Sequence, residues 1–197
     1  KLPHISLNSE MAKREFFISP ILLEMLEYIE FNIEGYPTHD FLDMVCNVRC
    51  HQVTLVPDAP DQKTSDHGWN IIKHKDFLKD IVTRINNAGR RVSLFIDPDP
   101  DMAKLAAEIG AGRVELYTGP YFEKTIPVSQ YKITSDAAIA AGIEVNAGHD
   151  LNLDNLAQFI QAIPECAEVS IGHAITSDAL DMGWDATIKA YLTAIKV

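Results

Sequence analysis

Cysteine is scarce in this 197-residue chain, with thiols only at Cys46, Cys50 and Cys166. So low and odd a count excludes a disulfide scaffold. Cys46 and Cys50 stand four apart in an apolar periodic stretch, and no second ligand pair has zinc-type spacing. They read as reduced core thiols of a cytoplasmic protein rather than as a metal pair. The chain also lacks any run of the roughly 18 apolar residues that a membrane helix requires, and any charged leader with an apolar stretch and cleavage site. Basic charge is short as well: 17 Lys and Arg against 28 Asp and Glu give a formal net charge of −11. Such a surface repels a phosphate backbone, so neither nucleic acid nor membrane is an expected partner. The first residue is Lys1 rather than methionine, and an upstream segment is expected.

What the chain does have suits one folded domain over residues 1–197, since 47% hydrophobic and 23% charged residues can build and cover a core. β-rich runs alternate with helical patterns: FNIEG (31–35), QVTLVP (52–57), RVSLFID (91–97), RVELYTG (113–119), EVNAG (144–148) and EVSIGHA (168–174). Between them, Leu78, Ile81, Val82 and Ile85 mark a helix face that stops at Gly89, and Asp99-Pro100 starts a helix ending near Gly110. Leu153, Leu156, Ala157 and Ile160 repeat the spacing before Pro164, as do Trp184, Ile188, Tyr191 and Ile195 at the end. Residues 1–30 read as helical, with a restart at Ser19-Pro20.

Alternating βα units form an open doubly wound sheet or a closed barrel. No strand leads into a G-x-G-x-x-G turn, while polar or glycine residues end strand after strand, which favours a (β/α)8 TIM barrel with one active mouth. Six of the eight units are visible in 31–197, so the first two strands are expected upstream.

Several strand-end residues carry possible chemistry. Gly148-His149 and Gly172-His173 follow successive strands, where backbone N–H groups can hold phosphate without lysine; the alternative is that they merely turn the chain and cap helices. Glu34 at its strand end could be a base or a rim residue. Glu115 would point inward if Tyr117 and Thr118 alternate around it, an expensive place for an unpaired carboxylate, and reads as either a salt-bridged structural residue or a functional one. With His149 these supply an acid, a base and a charge stabiliser for carbonyl chemistry. The loop from Asp58 to Trp69 is long for a barrel connection and reads as a lid or a solvated loop.

In order and spacing, N-I-E-G, L-V-P-D with K-T-S, R-V-S-L-F-I-D, V-E-L-Y-T-G, V-N-A-G-H-D-L and I-G-H-A-I resemble the pyridoxine 5′-phosphate synthase family of the deoxyxylulose-dependent vitamin B6 pathway. The resemblance implies a barrel transferase that condenses 3-amino-2-oxopropyl phosphate with 1-deoxy-D-xylulose 5-phosphate, releasing phosphate and water. It places the general base on Glu34, the acid on His149 and the transition-state-stabilising glutamate on Glu115. A deoxyxylulose phosphate contact falls on Thr64, a further substrate contact on His4, and the grip on the amino-ketone phosphate on Asp150, Gly172 and His173. It also implies a homo-oligomer and an enzyme that needs no metal or organic cofactor. The family's first two strands, with a further catalytic histidine, have no counterpart here, and about ten extra residues lie between His4 and Glu34. The competing readings are another phosphosugar-processing barrel, such as an epimerase or aldolase, and a degenerate non-catalytic subunit.

Overall fold

A computed structural model describes residues 30–196 apart from 59–61 and 63. His4 and the Ser19-Pro20 restart lie outside the described residues. The elements run β1 (Asn32–Gly35), α1 (His39–Asn47), β2 (Gln52–Leu55), α2 (Ile71–Asn87), β3 (Arg91–Ile96), α3 (Pro100–Glu108) and β4 (Arg113–Tyr117). A short α4 (Gly119–Phe122), α5 (Val128–Ala140), β5 (Glu144–Gly148), α6 (Leu156–Ala162), β6 (Cys166–Ser170), α7 (His173–Met182) and α8 (Trp184–Ala194) follow.

All six strands are parallel and lie in the order β1-β2-β3-β4-β5-β6. Unreversed order distinguishes this winding from a doubly wound sheet, whose strand order turns back at a switch point. The sheet is also curled. Strands two apart in a flat sheet are separated by about 10 Å, yet Arg113 of β4 reaches Gln52 of β2 at 2.9 Å and Glu168 of β6 at 2.8 Å across the concave side. The fold is six consecutive units of a (β/α)8 barrel, with β1 and β6 at the edges among the described residues.

The alternation of side chains along each strand separates two interiors. Val53, Leu55, Val92, Leu94, Ile96, Val114, Leu116, Val145 and Ala147 point outward and are fully buried beneath the helices, where the hydrophobic core lies. The concave face is polar instead: Gln52, Thr54, Ser93, Arg113, Glu115 and Asn146 are buried there. At its lower end the Arg113 guanidinium, 5% exposed, also pairs with Glu144 at 2.6 Å.

The helix signals behave as read for α2, where Leu78, Ile81, Val82 and Ile85 are buried, and for α3, where the Asp99 side chain caps the Asp101 N–H. Elements that the apolar spacing does not mark have physical reasons. The buried face of α5 is Tyr131, Thr134, Ser135 and Ala138, so half of it is polar. In α8 only Tyr191 of the expected stripe is buried; Trp184, Ile188 and Ile195 are exposed, because that side of the fold follows edge strand β6.

Trp69 fixes the end of the long β2–α2 loop. The Trp69 indole N–H donates to the Leu55 carbonyl at 2.9 Å, and its backbone N–H donates to Phe95 O at 2.8 Å. Gly68 makes that approach possible, since a Cβ there would stand 2.2 Å from the Asp97 nitrogen. Gly68→Ala is therefore expected to cost about 1–3 kcal/mol in chemical denaturation and to loosen the loop while the circular-dichroism spectrum stays βα-like; an unchanged midpoint would show that the backbone contact does not constrain the loop.

Candidate active site

The carboxyl ends of the strands open on a cavity of about 580 Å³. Glu34, Thr64, Glu115, His149, Asp150, Gly172 and His173 all line it. Seven of the eight residues singled out in the sequence thus share one space, and His4 lies outside the described residues. Phe95, Ser170 and Asn152 complete much of the wall.

Glu115 is the deepest of these groups. It sits mid-strand, 2% exposed, with Oε2 accepting from the Thr54 hydroxyl at 3.5 Å. Burial, then the nearby Glu34 carboxylate, raises its pKa from 4.5 to about 8, against the opposing hydrogen bond from Ser170. At neutral pH this side chain is a neutral acid able to donate a proton. The structural ion-pair alternative fails at this position: the buried arginine, Arg113, pairs with Glu144 and Glu168 instead. Gly148 has a role that its sequence position does not reveal, because a Cβ there would lie 2.2 Å from Glu115 Oε1. The space beside this glycine is taken by the glutamate rather than left to a ligand.

Glu34 stands at the end of β1, open to the mouth. Surrounding protein strips enough water from it to raise its carboxyl above the usual range; Asp58 adds to the rise and His149 opposes it. Asp58 escaped the sequence reading because only the turn of the loop brings it back, held by the Ser65 hydroxyl at 2.7 Å. Thr54 and Ser170 were missed too: the register sets them level with Arg113 and Tyr117, two residues to either side of Glu115, and only the folded sheet brings them to its carboxyl.

His149 occupies the turn after β5. Its Nε2 lies 2.8 Å from the Thr64 hydroxyl and its Nδ1 lies 2.8 Å from Asp150 Oδ2. The Tyr117 ring meets it edge-on, with centroids 5.1 Å apart. Thr64 therefore brings the β2–α2 loop over the cavity. At the next strand end, Gly172 precedes α7, whose first N–H groups lack intrahelical acceptors. A Cβ on Gly172 would meet nothing within 4 Å, so the space above this backbone is open. The arrangement places two carboxyl groups of unequal depth, an imidazole and a bare helix start around one small-molecule volume, suited to successive proton transfers on a phosphorylated carbonyl compound.

The raised pKa of Glu115 has a measurable effect on stability. Below 4.5 the group is protonated both folded and unfolded, so it costs nothing; as pH climbs toward 8 the unfolded chain releases a proton that the fold retains, and stability falls. Glu115→Gln should consequently melt with the wild type near pH 4 and above it at pH 9, by a few kcal/mol at most. Parallel melting curves across that range would mean that Glu115 ionises freely.

Known proteins resemble this chain in sequence and in fold. The profile of the family described as pyridoxal phosphate biosynthesis protein PdxJ matches residues 20–197. The pyridoxine 5′-phosphate synthase of Brucella anthropi is 49% identical over 173 residues, covering 84% of this chain and 71% of its own length. That of Agrobacterium fabrum is 51% identical over 174 residues, 84% of this chain and 69% of its own. Among solved structures, one titled native KDPGal structure superposes with a TM-score of 0.63 at 17% identity, over 91% of this chain and 77% of that one. A mutant tryptophan synthase alpha-subunit from Pyrococcus furiosus gives 0.60 at 12% identity, over 90% and 71%. The structural likenesses establish the barrel fold alone, whereas the sequence matches span most of the chain, and the protein belongs to the PdxJ family of pyridoxal phosphate biosynthesis proteins.

Proposed function

We propose that the protein is a pyridoxine 5′-phosphate synthase, a transferase that joins 3-amino-2-oxopropyl phosphate to 1-deoxy-D-xylulose 5-phosphate and closes the pyridine ring with release of phosphate and water. The observation that carries the reading is the convergence of Glu34, Glu115 and His149 on the cavity that also contains Gly172 and His173, in a chain about half identical to enzymes of that name.

Each residue has work suited to its surroundings. Amine attack on a ketone, loss of water and ring closure require protons to be removed and returned at neighbouring atoms. Glu34, partly desolvated at the mouth, takes protons from the attacking and ring-forming positions. His149 returns them to departing oxygens. Glu115, neutral at working pH, donates a hydrogen bond to oxygen as negative charge builds there, without bringing a second negative charge beside Glu34. The backbone at Gly172 and His173 holds the phosphate retained in the product, and Thr64 on the loop contacts the deoxyxylulose phosphate. Holding both substrates in one orientation lowers the entropic part of the barrier. The three unpaired thiols suit a reducing cytoplasm, and the family resemblance carries the expectation of a homo-oligomer.

The direct test supplies both substrates to the full-length gene product and follows formation of pyridoxine 5′-phosphate; no product would defeat the assignment. Within that assay, Glu34→Gln should lower kcat by about 10²–10⁴-fold with much smaller changes in KM, and normal turnover would remove Glu34 as the base. Gly172→Val should fold normally, since its side chain enters open space, and raise KM for the amino-ketone phosphate about tenfold. An unaltered KM would place the phosphate elsewhere.

A further inference from the structure

His149 and Asp150 both have positive φ, 85° and 57°, a conformation that costs a non-glycine residue roughly 1–2 kcal/mol. The turn is held in place from outside: the Thr118 backbone N–H donates to Gly148 O at 2.9 Å, its hydroxyl donates to the same carbonyl at 2.6 Å, and the Asn155 amide donates to Asp150 O at 3.1 Å. In this turn the neighbouring side chains meet, with Nδ1 of His149 2.8 Å from Asp150 Oδ2. An ionised carboxylate only accepts hydrogen bonds, so the proton of that contact resides on Nδ1. In the neutral ring Nε2 is then left with its lone pair, facing the Thr64 hydroxyl 2.8 Å away, which donates to it.

We propose that the Asp150 side chain is a positioning residue: it holds His149 in the Nδ1–H form and thereby makes Nε2 the atom that exchanges protons at the cavity, with Thr64 of the loop occupying that atom until substrate displaces it. This rests on the acid role given to His149, and it assigns to the Asp150 carboxylate work separate from the backbone contact expected there with phosphate. The same carboxylate stays paired with Nδ1–H when Nε2 gains a proton, so the ring keeps its orientation through the transfer.

The experiment compares wild type, Asp150→Gly and Asp150→Asn by ¹⁵N spectroscopy of the His149 ring at a pH where it is neutral, and by steady-state kinetics. Glycine and asparagine both tolerate the left-handed conformation, so the turn survives either change. Asp150→Gly should lower the Nδ1–H fraction several-fold and kcat about tenfold, with KM for both phosphorylated substrates within about twofold of wild type. Asp150→Asn, whose amide nitrogen can donate to a bare Nδ1, should also lose the Nδ1–H preference and lower kcat while keeping the side-chain volume. An unchanged His149 spectrum in Asp150→Gly, or a change confined to KM, would overturn the positioning role. The spectra need no turnover, so a wild type that makes no pyridoxine 5′-phosphate would strike the proposed function while leaving the tautomer result to be judged separately.

Discussion

A polar concave face, enclosed by an apolar sheath of helices, is the constraint from which the rest of the molecule follows. Arg113 reaches Glu168, Glu144 and Gln52 from three other strands, and Thr54 reaches Glu115 across β3. Such contacts require the sheet to curl, and the curl brings remote strand ends around one volume. Buried polar groups are costly when unpaired; at the lower end Arg113 and its partners meet that cost with charge-assisted hydrogen bonds, while the Ser93 hydroxyl and the Asn146 amide on the same face have no protein partner among the described residues. In the upper part Glu115 is buried beside the Glu34 carboxylate, and its proton affinity rises as a result.

The two glutamates of the cavity show how depth sets proton affinity. Glu34 and Glu115 have the same functional group and lie near enough to influence each other. Glu115 is enclosed and retains its proton at neutral pH, while Glu34 keeps access to solvent and feels both Asp58 and His149. A shared site with two equally ionised carboxylates would waste one of them through mutual repulsion. Gly148 is part of this arrangement, since its missing side chain is what gives the Glu115 carboxyl its place.

The loop between β2 and α2 links fold to chemistry at both of its ends. Trp69 and Gly68 pin one end against β2 and β3, and Thr64 touches the imidazole that the proposed reaction uses. The His149-Asp150 turn is similarly determined by neighbours, with Thr118 and Asn155 supplying the bonds that hold two left-handed residues in succession. Backbone strain of this sort is tolerated where surrounding contacts over-determine the conformation.

The sequence by itself determined the alternation of strands and helices, the outward apolar positions of β2 to β5, the Asp99 cap and the residues at the strand ends, because side-chain period and capping are local properties. It also carried the family motifs whose resemblance places the proposed roles on Glu34, Glu115 and His149. It left α5 unmarked, for its buried face includes Thr134 and Ser135, and it implied an inward α8 stripe that is mostly exposed. Tertiary structure alone decided that Glu115 is a neutral acid, that Asp58 stands beside Glu34, that Gly148 makes room for a carboxyl, and that Asp150 faces Nδ1 of its neighbour. Proton affinity and hydrogen-bond direction depend on burial and on groups far away in the chain, so they come into being only when the curled sheet closes around them.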